Sequence, residues 1–449
     1  MVFSCYSHRM IRTLHHCILA TALCVPGCQS WDKFWVATLD LDRTEVSLLF
    51  GAKDQLKVTS TDAGSDFQWS SSDANRVSVS QNGELTAFKT GTVIVTVKTR
   101  DGRRIGQAFV TVPRSQMLSI RGAVSNEAML FNPLTSTFTA LPPLPATAGN
   151  GASVCIPTVG PLAGKILIIH GNAINSTSVF DPATLSFTAG PNVTGNVGAG
   201  AHSFAPGNGT QVVVLAGGAS TATSVYDMAS NTFSVGPNLT AVAGAGSRSF
   251  LVTGGAEAGK FITVHGAAQN STSLYNPADN TYATGPVLPA TASAGTHGIR
   301  VTSGAAAGKF LLLHGNSTTA SLYDDAANAF TAIGAAVTSN TNNGAFTFLI
   351  TAGINAGKYM LVHGNSSQLT SVSDADLTTW SSGQLVPNTA GAGSHSFRVL
   401  AGPNAGKLLI LFNSTTTTAF YTDASDAFTS GPVMSMGGSG LGAFSVEIP

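Results

Sequence analysis

Apolar residues along this chain come in short runs broken about every ten positions by Gly, Asn, Asp, Ser or Thr. Up to residue 113 the runs alternate with polar residues. They are Val46-Ser-Leu-Leu-Phe-Gly51, Gln55-Leu-Lys-Val-Thr59, Phe67-Gln-Trp69, Val77-Ser-Val79, Leu85-Thr-Ala87, Val93-Ile-Val-Thr-Val97 and Ala108-Phe-Val-Thr-Val112. A period of two puts one face of a strand in a core and the other in water, so this stretch predicts a β-sandwich. From Gln116 onward four-strand groups recur. Near Gly391 the group is Ser394–Leu400, Leu408–Phe412, Thr418–Tyr421 and Ala427–Thr429, with an Ala405-Gly406-Lys407 turn after the first strand.

These groups form a repeat. Steps of 49 residues (one of 46) connect Arg121, His170, Ala216, His265, His314, His363 and Phe412, and a glycine follows six of the seven. Aromatic residues mark the last strand of every repeat, as in Phe187, Tyr282 and Trp380, and another marks the third, as in Phe180, Tyr275 and Tyr323. A period near 50 built of short strands predicts a β-propeller. The first repeat lacks a first strand, whereas the chain ends in Gly442-Ala-Phe-Ser-Val-Glu-Ile448, which matches one. The terminal strand is expected to complete the first blade, giving seven blades and no open edge.

Two resemblances add to this all-β expectation. Trp69-Ser-Ser-Ser-Asp73, Val77-Ser-Val79, Asn82-Gly83 and Thr90-Gly91-Thr-Val-Ile-Val resemble the bacterial Ig-like group 2 (BIG2) module, over residues 38–113. The glycine, tyrosine and outer-strand aromatic order from residue 114 to 449 resembles a divergent kelch repeat, with Gly217-Gly218 the surviving diglycine. The first resemblance implies a cell-surface setting. Trp69 is expected in the sandwich core.

Composition narrows the function. Lys plus Arg and Asp plus Glu each number 22, so no basic surface attracts nucleic acid. Four of the five cysteines precede residue 29, leaving Cys155 without a disulfide partner. Residues 1–28 read as a signal peptide starting at Met1 or Met10, and residues 29–37 as a tether. Val25-Pro-Gly-Cys28 resembles a lipoprotein lipobox, which implies lipidation of Cys28 and anchoring to the cell surface or outer membrane. The segment also reads as an ordinary secretory signal cleaved nearby.

No catalytic constellation stands out from the repeat. His170, His265, His314 and His363 recur at second-strand ends, and His202, His297 and His395 at first-strand starts. Neighbouring sheets are about 10 Å apart, too far for a ring of metal ligands, so these histidines are expected to be structural and no metal or cofactor is expected. Lys165, Lys260, Lys309, Lys358 and Lys407 place positive charge on the opposite face. Asn-led turns at Asn175, Asn270, Asn316 and Asn365 are the binding-face candidates, because loops on a rigid ring are where recognition is placed. The expectation is therefore a monomeric, lipid-anchored, non-enzymatic adhesion module for an extracellular protein or glycan. The alternative is a galactose-oxidase-like or carbohydrate-active enzyme using the propeller mouth.

Overall fold

The computed structural model describes residues 37–448 apart from 49–51, 61–65, 89, 113–115 and 335. The signal segment, most of the tether and Cys28 lie outside the described residues. Among the described residues the regular structure is β throughout, save one 3-10 turn at Asp423–Ser425.

Residues Gly91–Thr99 and Arg104–Val112 form the longest hairpin, extended by Phe67–Ser71 on one side. Ala37–Thr38 and Glu45–Ser47 add in parallel to Arg104–Val112. A second sheet joins Lys53–Gln55, Glu84–Ala87 and Val77–Val79. The alternate residues of both sheets share one core, in which Trp69 is 7% exposed beside Leu56, Val77, Leu85, Val95 and Val97. Trp69 is thus a core residue. The strand expected at Gln55–Thr59 lies instead at Lys53–Gln55, since Val58 only bridges Leu41.

Beyond this region come seven four-stranded antiparallel sheets in an all-β, propeller-like body. One sheet runs Ser153–Cys155, Ile166–Ile169, Thr177–Asp181, Ser186–Ala189 in sequence order. Second strands such as Ile166–Ile169, Phe310–Leu313 and Leu408–Leu411 are buried at every position. Continuous apolar runs belong to strands covered on both faces, and alternating runs to strands covered on one. That difference separates the two parts of the chain. The periodic aromatics pair across the third and fourth strands, with ring centroids 5.0 Å apart for Phe180–Phe187, Tyr275–Tyr282 and Tyr421–Phe428. Tyr226, Tyr275 and Tyr323 each donate a hydroxyl hydrogen bond to the turn asparagine five residues on. The aromatic and the Asn turn are therefore one device.

The terminal strand Phe444–Glu447 pairs antiparallel with Met117–Ile120, and the hydroxyls of Ser119 and Ser445 lie 2.7 Å apart. A second relation also links the ends. Each innermost strand is entered through a turn ending in glycine: Gly151, Gly200, Gly246, Gly295, Gly344, Gly393 or Gly442, with φ from +79° to +92°. A Cβ on any of them would collide with the backbone of the next sheet's entry turn, and that of Gly442 would strike Gly149 of the Ser153–Cys155 sheet. The contacts close on themselves, and only glycine fits both the conformation and the approach.

The recurring histidines tie this scaffold together. His170 and His265 are fully buried, and each sets Nε2 against a serine hydroxyl of its own third strand at 2.7 Å and Nδ1 against the serine just before that strand at 2.8 Å. His202, His297 and His395 instead bridge sheets. Nδ1 faces the entry-turn glycine carbonyl, and Nε2 meets Ser249, Thr347 or Ser445 of the next inner strand at 2.8, 2.6 and 2.8 Å. Burial pushes the imidazoles of His170, His202 and His265 down to about 4 and that of His297 to about 3. All four are neutral at pH 7.

Ring closure and these histidines can each be tested. Deleting residues 440–449 removes the terminal strand and Ile448, which is 2% exposed and alone contributes roughly 2 kcal/mol. The truncated chain is expected to aggregate or to melt well below the full chain in calorimetry; an unchanged transition would refute the closure. The unfolded imidazole titrates near 6.5, and the folded values are depressed. Stability is therefore complete above pH 6.5 and falls as the pH drops toward about 4, before most carboxylates protonate. Thermal melts should show this loss, and replacing His202 and His297 with Gln should lessen it. A melting temperature constant from pH 6.5 to 4.5 would show that these groups do not carry the effect.

Candidate functional site

Turns between second and third strands share one face of the body with the entry turns to the innermost strands. Their residues meet around a cavity of about 350 Å³, within the size range of small-molecule pockets. Its wall holds four asparagines, Asn316, Asn342, Asn343 and Asn365, with Ser293 and four alanines. No charged side chain lines it. Asn316, Asn343 and Asn365 are exposed, and their carboxamides make no hydrogen bond to any described residue, whereas Asn342 donates to the Asn340 carbonyl at 3.1 Å. Free carboxamides offer both donors and acceptors to a polar ligand.

Local backbone needs account for some of these asparagines. Asn172, Asn316 and Asn365 have φ of 55°, 58° and 56°, a left-handed conformation that asparagine tolerates better than most residues. Ala267 and Ala268 occupy the same kind of turn at φ 52° and 60°. The cavity thus lies where a tight turn favours small residues or asparagine.

The four asparagines expected at the binding face divide into two pairs. Asn316 and Asn365 line the cavity; Asn175 and Asn270 do not. The reason is register. The carbonyls of Asn175 and Asn270 accept from Val193 and Leu288, the same role that Thr318 and Gln368 play for Val337 and Val386. Asn365 corresponds instead to Asn172 and Ala267, whose amides donate to the neighbouring entry turns. Matching Asn-Ser-Thr strings joins positions that the turns keep apart. Asn342 and Asn343 were missed by sequence reasoning. Their signal is the Asn-Asn-Gly344 entry turn, equivalent to Gly-Ala-Gly at 198–200, 244–246 and 391–393.

Other candidates carry no free chemistry. The lysines on the opposite face are engaged: Lys165 with Asp181 at 2.9 Å, Lys260 with Glu257, and Lys309 with Asp324 at 3.0 Å. Lys358 and Lys407 each donate to an asparagine at 2.9 Å. An anion-attracting lysine face is thereby largely neutralised. Burial pushes the Cys155 thiol up to about 12, so it stays protonated. Among the described residues no group of three or more His, Cys, Asp or Glu is placed to hold a metal ion. Arg121 and Glu127 form an ion pair beside the second-to-third-strand turn of the first sheet, outside the cavity wall.

Comparison with known proteins agrees with both parts. Residues 35–105 match the family model of the bacterial Ig-like domain (group 2). An uncharacterized protein of Clostridium acetobutylicum is 38% identical over 80 residues, 17% of this chain, and the chain spans only 8% of that relative's length. A candidate 6-phosphogluconolactonase of Bacteroides fragilis has a similar structure, with a TM-score of 0.50 and 12% identity, covering 74% of this chain and 98% of the other. A Lactobacillus plantarum protein gives 0.50 and 13%, covering 74% and 99%. At such identities the likeness is one of fold.

The comparisons correct the expectation of a non-enzymatic adhesion module with no catalytic role. The body shares its fold with the Bacteroides fragilis protein named as a candidate 6-phosphogluconolactonase. Its candidate face holds a half-open cavity of about 350 Å³ over the turns of three consecutive sheets. Residues 35–105 are a bacterial Ig-like group 2 domain, and the residues beyond it form a propeller-like body of four-stranded sheets.

Proposed function

We propose that the body is a seven-bladed, kelch-like propeller, residues 114–449, which holds a polyhydroxylated sugar lactone in its mouth and hydrolyses it. The Ig-like module, residues 38–113, serves as its stalk. The uncharged, carboxamide-lined cavity carries this reading. Neutral donors and acceptors in a concave site suit sugar hydroxyls, and a ring of this size fits about 350 Å³. The fold shared with the Bacteroides fragilis protein named as a candidate 6-phosphogluconolactonase supports a lactone as the reacting group.

A lactone is already a reactive ester. Carboxamide N–H groups at Asn316, Asn343 or Asn365 donate to its carbonyl oxygen and stabilise the charge that grows there. Water then adds to the carbonyl carbon, the ring C–O bond breaks, and the ring oxygen leaves as a hydroxyl that takes up the water's second proton. The product is a hydroxy acid. None of the cavity residues titrates near neutrality, so the enzymatic rate should be flat between about pH 5.5 and 8 once spontaneous hydrolysis is subtracted.

Measured by pH-stat against the uncatalysed rate, the purified chain should accelerate opening of a six-membered sugar lactone. Asn316→Ala and Asn365→Ala should each lower kcat/KM by about fivefold, the worth of one neutral hydrogen bond. Absence of acceleration for neutral and phosphorylated sugar lactones alike would overturn the reading. Export with a lipid anchor at Cys28 belongs to the same proposal, on the Val25–Cys28 motif. Replacing Cys28 with Ser should abolish labelled-palmitate incorporation and move the protein to the soluble fraction; unchanged labelling would refute the anchor.

A further inference from the structure

We propose that Arg248, beneath the mouth, is a binding site for a compact oxyanion, a carboxylate or a phosphate. The propeller-like body has four arginines among its described residues. Three have carboxylate partners: Arg121 with Glu127, Arg300 with Asp325 at 2.9 Å, and Arg398 with Asp423 at 3.0 Å. Arg248 has none. Its one hydrogen bond runs from Nη1 to the Gly298 carbonyl at 3.4 Å, and its buried Nε has no partner. A buried guanidinium without a counter-charge is costly, and that cost falls when an anion enters.

The location suits a ligand that arrives through the mouth. Arg248 opens the inner strand Arg248–Leu251, three residues beyond Ala245, which lines the cavity. At about 3.3 Å per residue that is roughly 10 Å below the rim. The residue as a whole is half-buried, while its Nε is shielded from solvent. Burial pulls the guanidinium down to about 10, which leaves it charged at neutral pH.

The surroundings favour an anion over a cation. His202 and His297 hold the equivalent positions in the sheets on either side, and both are neutral at pH 7. Each histidine meets a hydroxyl of the next inner strand, Ser249 or Thr347. At the corresponding place opposite Arg248 stands Gly298, which offers only its carbonyl. The partner that a hydroxyl supplies in the neighbouring pairs is missing, and an oxyanion completes the set. The site does not depend on lactone turnover.

The test uses the full chain at pH 7.5 in matched ionic strength of sodium chloride, phosphate or gluconate. Phosphate or gluconate should raise the melting temperature by about 2 °C or more over chloride. Arg248→Gln should weaken that response at least about tenfold, while Arg248→Lys keeps part of it. A response to gluconate alone identifies a carboxylate site, and a response to phosphate alone a phosphate site. Should Arg248→Gln not fold, the Nε resonance of Arg248 in the wild type decides. Its movement on adding phosphate or gluconate supports the site, and its constancy overturns it. The proposal also fails if neither anion exceeds chloride, or if Arg248→Gln responds as the wild type does. Asn316→Ala separates the two readings: it should lower lactone turnover and leave the anion response intact.

Discussion

Backbone meets backbone at the centre of this molecule, and the rest of the propeller-like body is arranged around that contact. Seven entry turns end in glycine at positive φ, and each touches the next, from Gly151 round to Gly442 and back to Gly149. Side chains cannot enter such a contact, so inner strands converge more closely than sheets normally stack. The bridging histidines then fasten neighbouring inner strands just below the ring. Farther out, apolar second strands and aromatic pairs fill the widening space between sheets. Packing near the axis is polar and backbone-made; packing at the periphery is hydrophobic.

That arrangement explains the character of the mouth. Turns forced into left-handed conformations favour asparagine, alanine, serine or glycine, with Val124 the exception among these turns. The cavity wall is therefore small and neutral for structural reasons, and its asparagines acquire their free carboxamides as a by-product. Lysines and aspartates neutralise one another on the opposite face, and Arg121 and Glu127 do so beside a turn on the cavity's side. Arg248 is the exception, a cation close to the axis without a carboxylate. Polar recognition at the rim and an anion beneath it would together suit a sugar acid or its lactone.

Much of the scaffold was legible in the amino-acid order. The 49-residue spacing, the switch from alternating to continuous apolar runs and the strand-like C-terminus each correspond to a visible element, and Trp69 lies in the core as its pattern implied. The site was harder to read. Asn175 and Asn365 sit in similar strings but differ by three positions in their turns, a shift set by carbonyl partners that no string displays. Asn342 and Asn343 belong to an entry turn that reads Gly-Ala in three of the other six sheets. Histidine partners 47 to 50 residues away arise from how sheets stack, not from local sequence. The adhesion expectation rested on module resemblance, and it gave way to a fold shared with a protein named as a candidate 6-phosphogluconolactonase.

Two glycines offer the most direct measurement of the central constraint. Gly344 and Gly308 have nearly equal backbone strain, with φ of +80° and +88°. A Cβ at Gly344 would strike the carbonyl oxygen of Gly391 in the next sheet, whereas one at Gly308 meets nothing within 4 Å. Equilibrium unfolding of Gly344→Ala and Gly308→Ala therefore isolates the inner contact from the shared conformational cost. The account predicts a loss of about 1 kcal/mol at Gly308 and several times that, or failure to fold, at Gly344. Equal losses at the two positions would contradict it.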